Sequence, residues 1–386
     1  MPKTSIQRKV KVLIKRLRKL LIQRALLSGL LIIFYGCADN GLMAGHSECE
    51  PWCQIQVTDL GDANLRDVWS DGNHFWIIGE DGIVVHYDGA SWGTSRPSFQ
   101  DLNAIAGNSK GQVFAVGEEG TVLKWNDGQF HTLPTPQYSR YSFTDVTANA
   151  NGTWIIGHSD DSSQPEALVV HLKDDKFQTV WQPMKHSPAP FFTGLCVTDK
   201  GRALIVGGVG EEPKPLLLRG VIHLEVISES LTDLPAGCAS YGETVAVIDR
   251  EGMNITLMKE QETRYIDANV SASQGQSKFQ SGSKPAMWLS GEQKGFAVAD
   301  AIVMFDGYGY GYESFSSPGV LHDVHGDAAN NVYAVGESGL IMRFNGTQWH
   351  TIRETEATLW AIWVSAQLIV AVGDDGTILI NPENRL

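Results

Sequence analysis

The chain has 386 residues, 42% of them hydrophobic and 19% charged, with 40 glycines; this suits a turn-rich globular protein and excludes a chain disordered throughout. Its formal charge of −14 is unevenly placed, since residues 1–36 hold nine Lys or Arg and no acid, leaving 21 basic against 44 acidic residues, or −23, for residues 37–386. That balance argues against nucleic acid as a partner, because phosphate binding needs clustered Lys and Arg.

Residues 1–36 have the layout of an export signal. The basic segment KTSIQRKVKVLIKRLRKLLIQR precedes an apolar run, Ala25 to Tyr35, too short to span like an ordinary membrane helix, and then the small Gly36. Phe34-Tyr35-Gly36-Cys37 resembles the lipobox of bacterial lipoproteins, which implies that Cys37 is acylated and becomes the first mature residue. Without that resemblance the segment is an unlipidated signal or an uncleaved anchor. Ala38, in place of the aspartate that retains such proteins at the inner membrane, implies an outer-membrane lipoprotein facing the periplasm or the cell surface. Residues 37–53 would then be a tether and residues 54–386 the folded domain.

From residue 60 onward one pattern repeats. In LHDVHGDAANNVYAVGESGLIMRFNGTQWHTI, Leu321 to Ile352, four short strands are separated by turn residues, including an Asn345-Gly346 pair that tolerates the positive φ of a tight hairpin. One such meander cannot bury both apolar faces alone, so copies must stack, and stacking around an axis gives a β-propeller. The second strand marks each copy: FWIIG to Gly79, VFAVG to Gly117, TWIIG to Gly157, ALIVG to Gly207, TVAVI to Ile248, GFAVA to Ala299, VYAVG to Gly336 and IVAVG to Gly373. The spacings of 38, 40, 50, 41, 51, 37 and 37 residues leave no room for helices. The last copy stops before a fourth strand, whereas Gln54 to Val57 is a strand with nothing to pair with. Placing it as the outer strand of the last blade closes an all-β, eight-bladed ring and protects its edges; seven blades is the alternative if the fifth or sixth copy is an insertion.

LRDVWSDGNHFWIIGEDGIVVHYDGASW and LHDVHGDAANNVYAVGESGLIMRFNGTQW resemble the DVWAVGxxGxIxHYDGxxW repeats of secreted bacterial propeller proteins of the myxobacterial type. The resemblance covers residues 54–386 and implies the fold; propellers host hydrolases, lyases, binding modules and scaffolds alike.

Besides Cys37 there are four cysteines. Cys49 and Cys53, in CEPWC, could close a small disulfide loop in an oxidising compartment. Cys196 and Cys238 fall on one rung of adjacent repeats, as a disulfide between inner strands or as two buried thiols; the ease with which Cys packs where blades converge favours the thiols.

In an up-and-down blade the second-to-third turns and the crossovers between blades emerge on one face. The turns there are acidic: Glu80-Asp81, Glu118-Glu119, Asp160-Asp161, Glu337 and Asp374-Asp375. Such a ring could hold Ca²⁺ or steer a basic partner, although exposed turns use Asp, Glu and Gly for their conformation alone. The longer loops His158–Ala167 and Gly208–Pro215 and the crossover Ile266–Pro285 decorate this rim. On the other face, Tyr308, Tyr310 and Tyr312 alternate with glycine in a loop suited to stacking on sugars or gripping a protein, or else extend the hairpin.

No G-x-S-x-G elbow, H-E-x-x-H helix or phosphate-cradling loop is present. His322-x-x-His325 with Asp323 and Asp327 has metal-like residue types, but strand residues three apart face opposite ways. His86, Lys124, His171 and Arg343 share a third-strand rung as spacers between blades. No catalytic residue, metal ligand or cofactor is assigned. The reading is a monomeric, membrane-tethered, non-enzymatic propeller that binds protein or glycan in the cell envelope. Its rivals are a glycan-cleaving hydrolase or lyase using rim carboxylates and a Ca²⁺-stabilised envelope sensor.

Overall fold

The computed structural model of the chain describes residues 52–382 apart from 160–165, 184–189, 229–230, 232, 251–253, 261, 268–278, 280–283, 308–310 and 354. The described residues lie in the second of the two units into which the chain divides, Asp39–Leu386. Cys37, Cys49, Asp160, Asp161, Tyr308 and Tyr310 are outside the described residues.

The strands form eight four-stranded antiparallel sheets. The first strands of blades 1 to 8 are Leu65–Ser70, Leu102–Gly107, Tyr141–Asn149, Pro190–Val197, Pro235–Tyr241, Ala286–Gly291, Leu321–Ala328 and Leu359–Val364. Each touches the first strand of the next blade, and that of blade 8 touches that of blade 1, so these strands line the axis of a closed ring. The expected eight blades are therefore present.

Closure is made by the amino-terminal strand. In blade 8 the order from the outside inward is Cys53–Gln54, Ile378–Asn381, Ile369–Gly373, Leu359–Val364. Cys53 stands opposite Ile380 and Gln54 opposite Leu379, and the Ile55 N–H donates to the Ile378 carbonyl at 3.0 Å. The pairing begins one residue earlier than Gln54, and Trp52 is already core: it is buried at 4% exposure, meets Tyr333 edge-on at 6.1 Å, and its carbonyl accepts from Arg353 Nη1 at 2.9 Å. Trp52 and Cys53, expected to be tether, thus belong to the folded ring. Ile55 and Val57 pack on a cluster that includes Ile378 and Ile380.

The second strands are buried throughout in blades 1, 2, 5 and 8 and over their central residues in the others, as strands sandwiched between two neighbours must be. Their terminal glycine has a steric cause. A Cβ at Gly79 would lie 2.2 Å from the Asn64 carbonyl oxygen, and one at Gly117 1.9 Å from that of Asp101, because the chain entering the first strand crosses directly over this point. Blade 5 departs from the expected alignment. Pro235 pairs with Asp249 as Leu65 pairs with Gly79, so Asp249, not Ile248, occupies the glycine rung. The aromatic residues that begin the second strand face the polar rung of the third: Trp76 opposite His86, Phe114 opposite Lys124, Trp154 opposite His171, Tyr333 opposite Arg343. His86 lies between Trp76 and Trp125 at 5.1 and 4.5 Å, as an interblade spacer should.

The shift in blade 5 also bears on the cysteines. Cys196 pairs with Leu204, on the rung that carries Trp69 in blade 1, whereas Cys238 pairs with Val247, on the rung that carries Val68. The two therefore lie diagonally across adjacent first strands, with Cα atoms 6.2 Å apart, and they are joined as a disulfide rather than left as two buried thiols. Cys53 is buried in the closing strand.

Two loop expectations change. The strands of blade 4 run to Val209 and restart at Lys214, leaving only residues 210–213 as loop where Gly208 to Pro215 was expected. Tyr312 belongs to the strand Gly311–Ser316, opposite Phe305, because backbone pairing continues past the expected loop.

Candidate functional site

The rim of second-to-third turns takes its shape from a repeated tight turn. Asp81, Glu119, Ser338 and Asp375 sit at φ between 51° and 55°, each followed by a glycine at φ between 61° and 67°. Two successive left-handed residues make a type I′ turn, closed in blade 1 by the Ile83 N–H donating to the Glu80 carbonyl at 3.1 Å. Turn conformation accounts for Asp81 and Asp375, since aspartate tolerates this region; it gives no reason for glutamate at position 119. Glu80, Asp81, Glu118, Glu119, Glu337, Asp374 and Asp375 thus all occupy equivalent turns on one face of the ring.

The mouth of the axis on that face is built by a feature absent from the sequence reading. In seven blades the first strand slips register by one residue at the same place, as between Leu65 and Asp67 or between Leu359 and Ala361. A β-bulge leaves one residue unpaired and re-aims its side chain. The extra residues are Arg66, Asn103, Thr144, Thr193, Ala236, His322 and Trp360.

Several of them bridge blades. Arg66 donates to Asn103 Oδ1 at 2.5 Å and to Asp101 Oδ2 at 2.6 Å, and reaches Glu80 at 3.5 Å. Asn103 Nδ2 donates to the Phe143 carbonyl at 2.9 Å, and Thr193 Oγ1 to that of Pro235 at 3.1 Å. His322 lies flat on Trp360, ring centres 4.4 Å apart, and Trp360 Nε1 donates to Asp374 Oδ1 at 2.7 Å. The mouth is therefore uneven in charge. At blades 1 and 2 a guanidinium sits among the carboxylates; at blades 7 and 8, Glu337, Asp374 and Asp375 have no Lys or Arg partner within ion-pair distance among the described residues.

Below the bulges, Asp67, Asp145 and Asp323 latch blade to blade. Each accepts the N–H of its own next residue at 2.8 Å; Asp67 also accepts from Ile105 and Asp323 from Ile362, both at 2.8 Å, and Asp145 from Leu195. The acceptors satisfy N–H groups on the otherwise unpaired inner edge of the adjoining sheet. Burial raises the carboxyls to about 8 at Asp67, about 7 at Asp145 and about 6 at Asp323, against the lowering effect of the N–H groups, and at Asp67 the charges of Asp323 and Asp145 add to the rise. Perturbed carboxylates often mark catalysis, but here the oxygens of Asp67 and Asp323 are committed to backbone N–H groups.

These groups make stability depend on pH. A carboxyl held above its unfolded pKa stabilises the fold below that unfolded value, and the contribution is lost as pH rises through the folded one. His325, lowered to about 4 by burial while its Nδ1 accepts from Val364 N–H at 3.1 Å, works the other way, losing stability as pH falls from 6.5 toward 4. Between pH 6.5 and 8 the Asp67 effect dominates, at about 1 kcal/mol per pH unit. The melting temperature should therefore fall across this window, and Asp67→Asn should flatten the slope. Parallel wild-type and D67N profiles would overturn the assignment.

The His322 and His325 rings are each engaged by an indole. The bulge at His322 breaks the strand alternation, so both imidazoles face blade 8 rather than opposite ways, yet each is stacked on its own indole, His322 on Trp360 and His325 on Trp363 at 4.3 Å. Asp323 is spent on the latch. Among the described residues no three or more His, Cys, Asp or Glu converge on a point that could hold a metal ion.

A family model described as DUF6242 beta propeller domain matches residues 24–216, half of the chain. The chain belongs to that family. No curated protein matches the sequence. Among solved structures, Chaetomium thermophilum Sqt1 bound to the N-terminus of the ribosomal protein L10 is similar with a TM-score of 0.60 at 13% identity, covering 85% of this chain and 99% of that one. YCF48 bound to D1 peptide gives 0.53 at 14% identity, covering 86% and 96%. Virginiamycin B lyase from Staphylococcus aureus gives 0.51 at 12% identity, covering 85% and 98%. Identities this low establish the shared propeller fold for this DUF6242 family member and nothing of its chemistry.

Proposed function

We propose that the protein is an exported, lipid-anchored and non-enzymatic interaction scaffold that holds a protein or glycan of the cell envelope on the face carrying the second-to-third turns. The observation that carries this reading is the mouth on that face: of seven bulge residues set there, all but the buried Ala236 are at least partly exposed, within a border of carboxylate turns on a closed ring. Function is disproportionately carried by variable side chains on such a scaffold. The similar propellers support a protein partner, since Sqt1 holds the L10 N-terminus and YCF48 holds the D1 peptide. The Cys196–Cys238 disulfide fits an oxidising compartment outside the cytoplasm, and acylation of Cys37 supplies the membrane attachment.

The test is affinity capture from the native envelope with the full chain and with a variant neutralised on the rim, E80Q/D81N/E118Q/E119Q/E337Q/D374N. A partner retained by the wild type and lost by the variant supports the reading. Equal recovery by both, or release of reducing ends from envelope glycan by the purified protein, would overturn it.

A further inference from the structure

At blades 7 and 8 the mouth carries a built aromatic platform beside uncompensated negative charge. Trp360 is 40% exposed, among the few large hydrophobic side chains left open to solvent. Three contacts fix its plane: its place in a β-bulge, the His322 ring stacked at 26° between planes, and the Nε1 bond to Asp374. Holding an exposed indole in one orientation has no evident folding benefit, but it removes the rotamer entropy that a binding surface must otherwise lose. Burial keeps His322 below its ordinary pKa, more than the charges of Glu337 and Asp374 raise it, so the stack brings no competing cation.

An electron-rich indole face flanked by carboxylates fits a cation that is itself carried on an apolar stem. Tryptophan is the strongest of the side chains in attracting Lys or Arg over its face, and Arg and Trp are the residues that most often dominate interfaces. On the same face, the crossover from blade 1 to blade 2 exposes Phe99 at 96%. We propose, resting on the scaffold reading above, that the partner is a protein presenting a basic segment, one Lys or Arg of which lies over Trp360 with its charge toward Asp374 and Glu337. A neutral sugar would use the ring but leave the carboxylates without a counter-charge. Charge complementarity therefore selects the peptide.

The full chain in detergent micelles is titrated, by fluorescence anisotropy, into labelled octapeptides of alternating Gly and Arg, Gly and Lys, or Gly and Glu, with unlabelled chitohexaose as competitor. The Arg and Lys peptides should bind and the Glu peptide should not. Trp360→Ala should weaken binding tenfold or more, Trp360→Phe should fall between it and wild type, Asp374→Asn should weaken binding severalfold, and Glu225→Gln, an exposed acid on the outer strand of blade 4 and away from the rim, should leave it within about twofold. Trp360 is exposed, so a W360A protein melting near the wild-type temperature removes misfolding as an explanation. Equal affinity of wild type and W360A, equal losses at Asp374 and Glu225, or displacement by chitohexaose would each overturn the proposal. Capture from the envelope separates the two readings: a partner lost with the neutralised rim but kept by W360A leaves the scaffold standing and removes only this platform.

Discussion

Deleting residues 52–57 is expected to lower the unfolding free energy by about 5 kcal/mol, the largest effect of any small change in this chain. The segment contributes the buried Trp52 and the partly buried Ile55 and Val57, which pack into two different clusters on either side of blade 8. Its loss also leaves the edge of Ile378–Asn381 without a partner and removes the carbonyl to which Arg353 donates. Since ordinary domains are stable by about 5–15 kcal/mol, the truncated ring would be marginal. Urea unfolding of the deletion, beside Gln54→Ala at an exposed position of the same strand, makes the comparison. A deletion that unfolds within about 1 kcal/mol of the wild type would mean that the ring is held by its inner strands alone. A synthetic peptide of residues 50–58, binding only the folded ring, should raise the melting temperature of the deletion in proportion to the logarithm of its concentration.

The second large effect belongs to the disulfide. Cys196 and Cys238 close a loop with a sequence separation of 42, for which chain-entropy arguments give a stabilisation of about 4 kcal/mol. The C196A/C238A protein should unfold at a correspondingly lower urea midpoint, and the oxidised wild type, once unfolded in dithiothreitol, should refold to that same lower stability. Because Cys196 is only 5% exposed, reduction of the folded protein should be slow and follow the opening of blades 4 and 5. Coincident midpoints for the wild type and the double variant would show that the bond joins strands already held by packing, with no cost left to remove from the unfolded chain.

Several residues illustrate how far local pattern reaches. The closing strand was legible because a blade with three strands and a strand with no blade are complementary deficits, and an open edge is costly enough that they must meet. The tight turns were legible only in part: of Asn345-Gly346, the pair expected to supply positive φ, only Gly346 does so, while two successive left-handed residues occur at Asp81-Gly82 and Asp375-Gly376. The third-strand spacers His86 and Arg343 were legible as a rung, because strand alternation places them before any neighbour is known.

Other features were beyond that reach. The bulges that set Arg66, His322 and Trp360 at the mouth change the alternation by one residue, and no residue type announces them. Asp67, Asp145 and Asp323 look like surface carboxylates until the neighbouring first strand arrives with an unpaired N–H. The expectation that His322 and His325 face opposite ways failed for the same reason, since the bulge turned both rings toward the tryptophans of blade 8. Blade 5 was misread by one residue because Asp249 stands where six other blades have glycine, and that slip hid the diagonal approach of Cys196 to Cys238.

The amino-acid sequence by itself determined the blade and the face on which the acidic turns emerge, because both depend on alternation and turn conformation within about forty residues of chain; it also called for closure by the first strand, because an unpaired edge and an incomplete blade need each other, and it left eight blades to be chosen over seven. Only the tertiary structure decided which side chains reach the axis, which carboxylates are consumed as latches, and where an exposed indole stands beside unpaired charge. Those outcomes depend on contacts between first strands of different blades, where a one-residue slip in either strand redirects a side chain by half a turn.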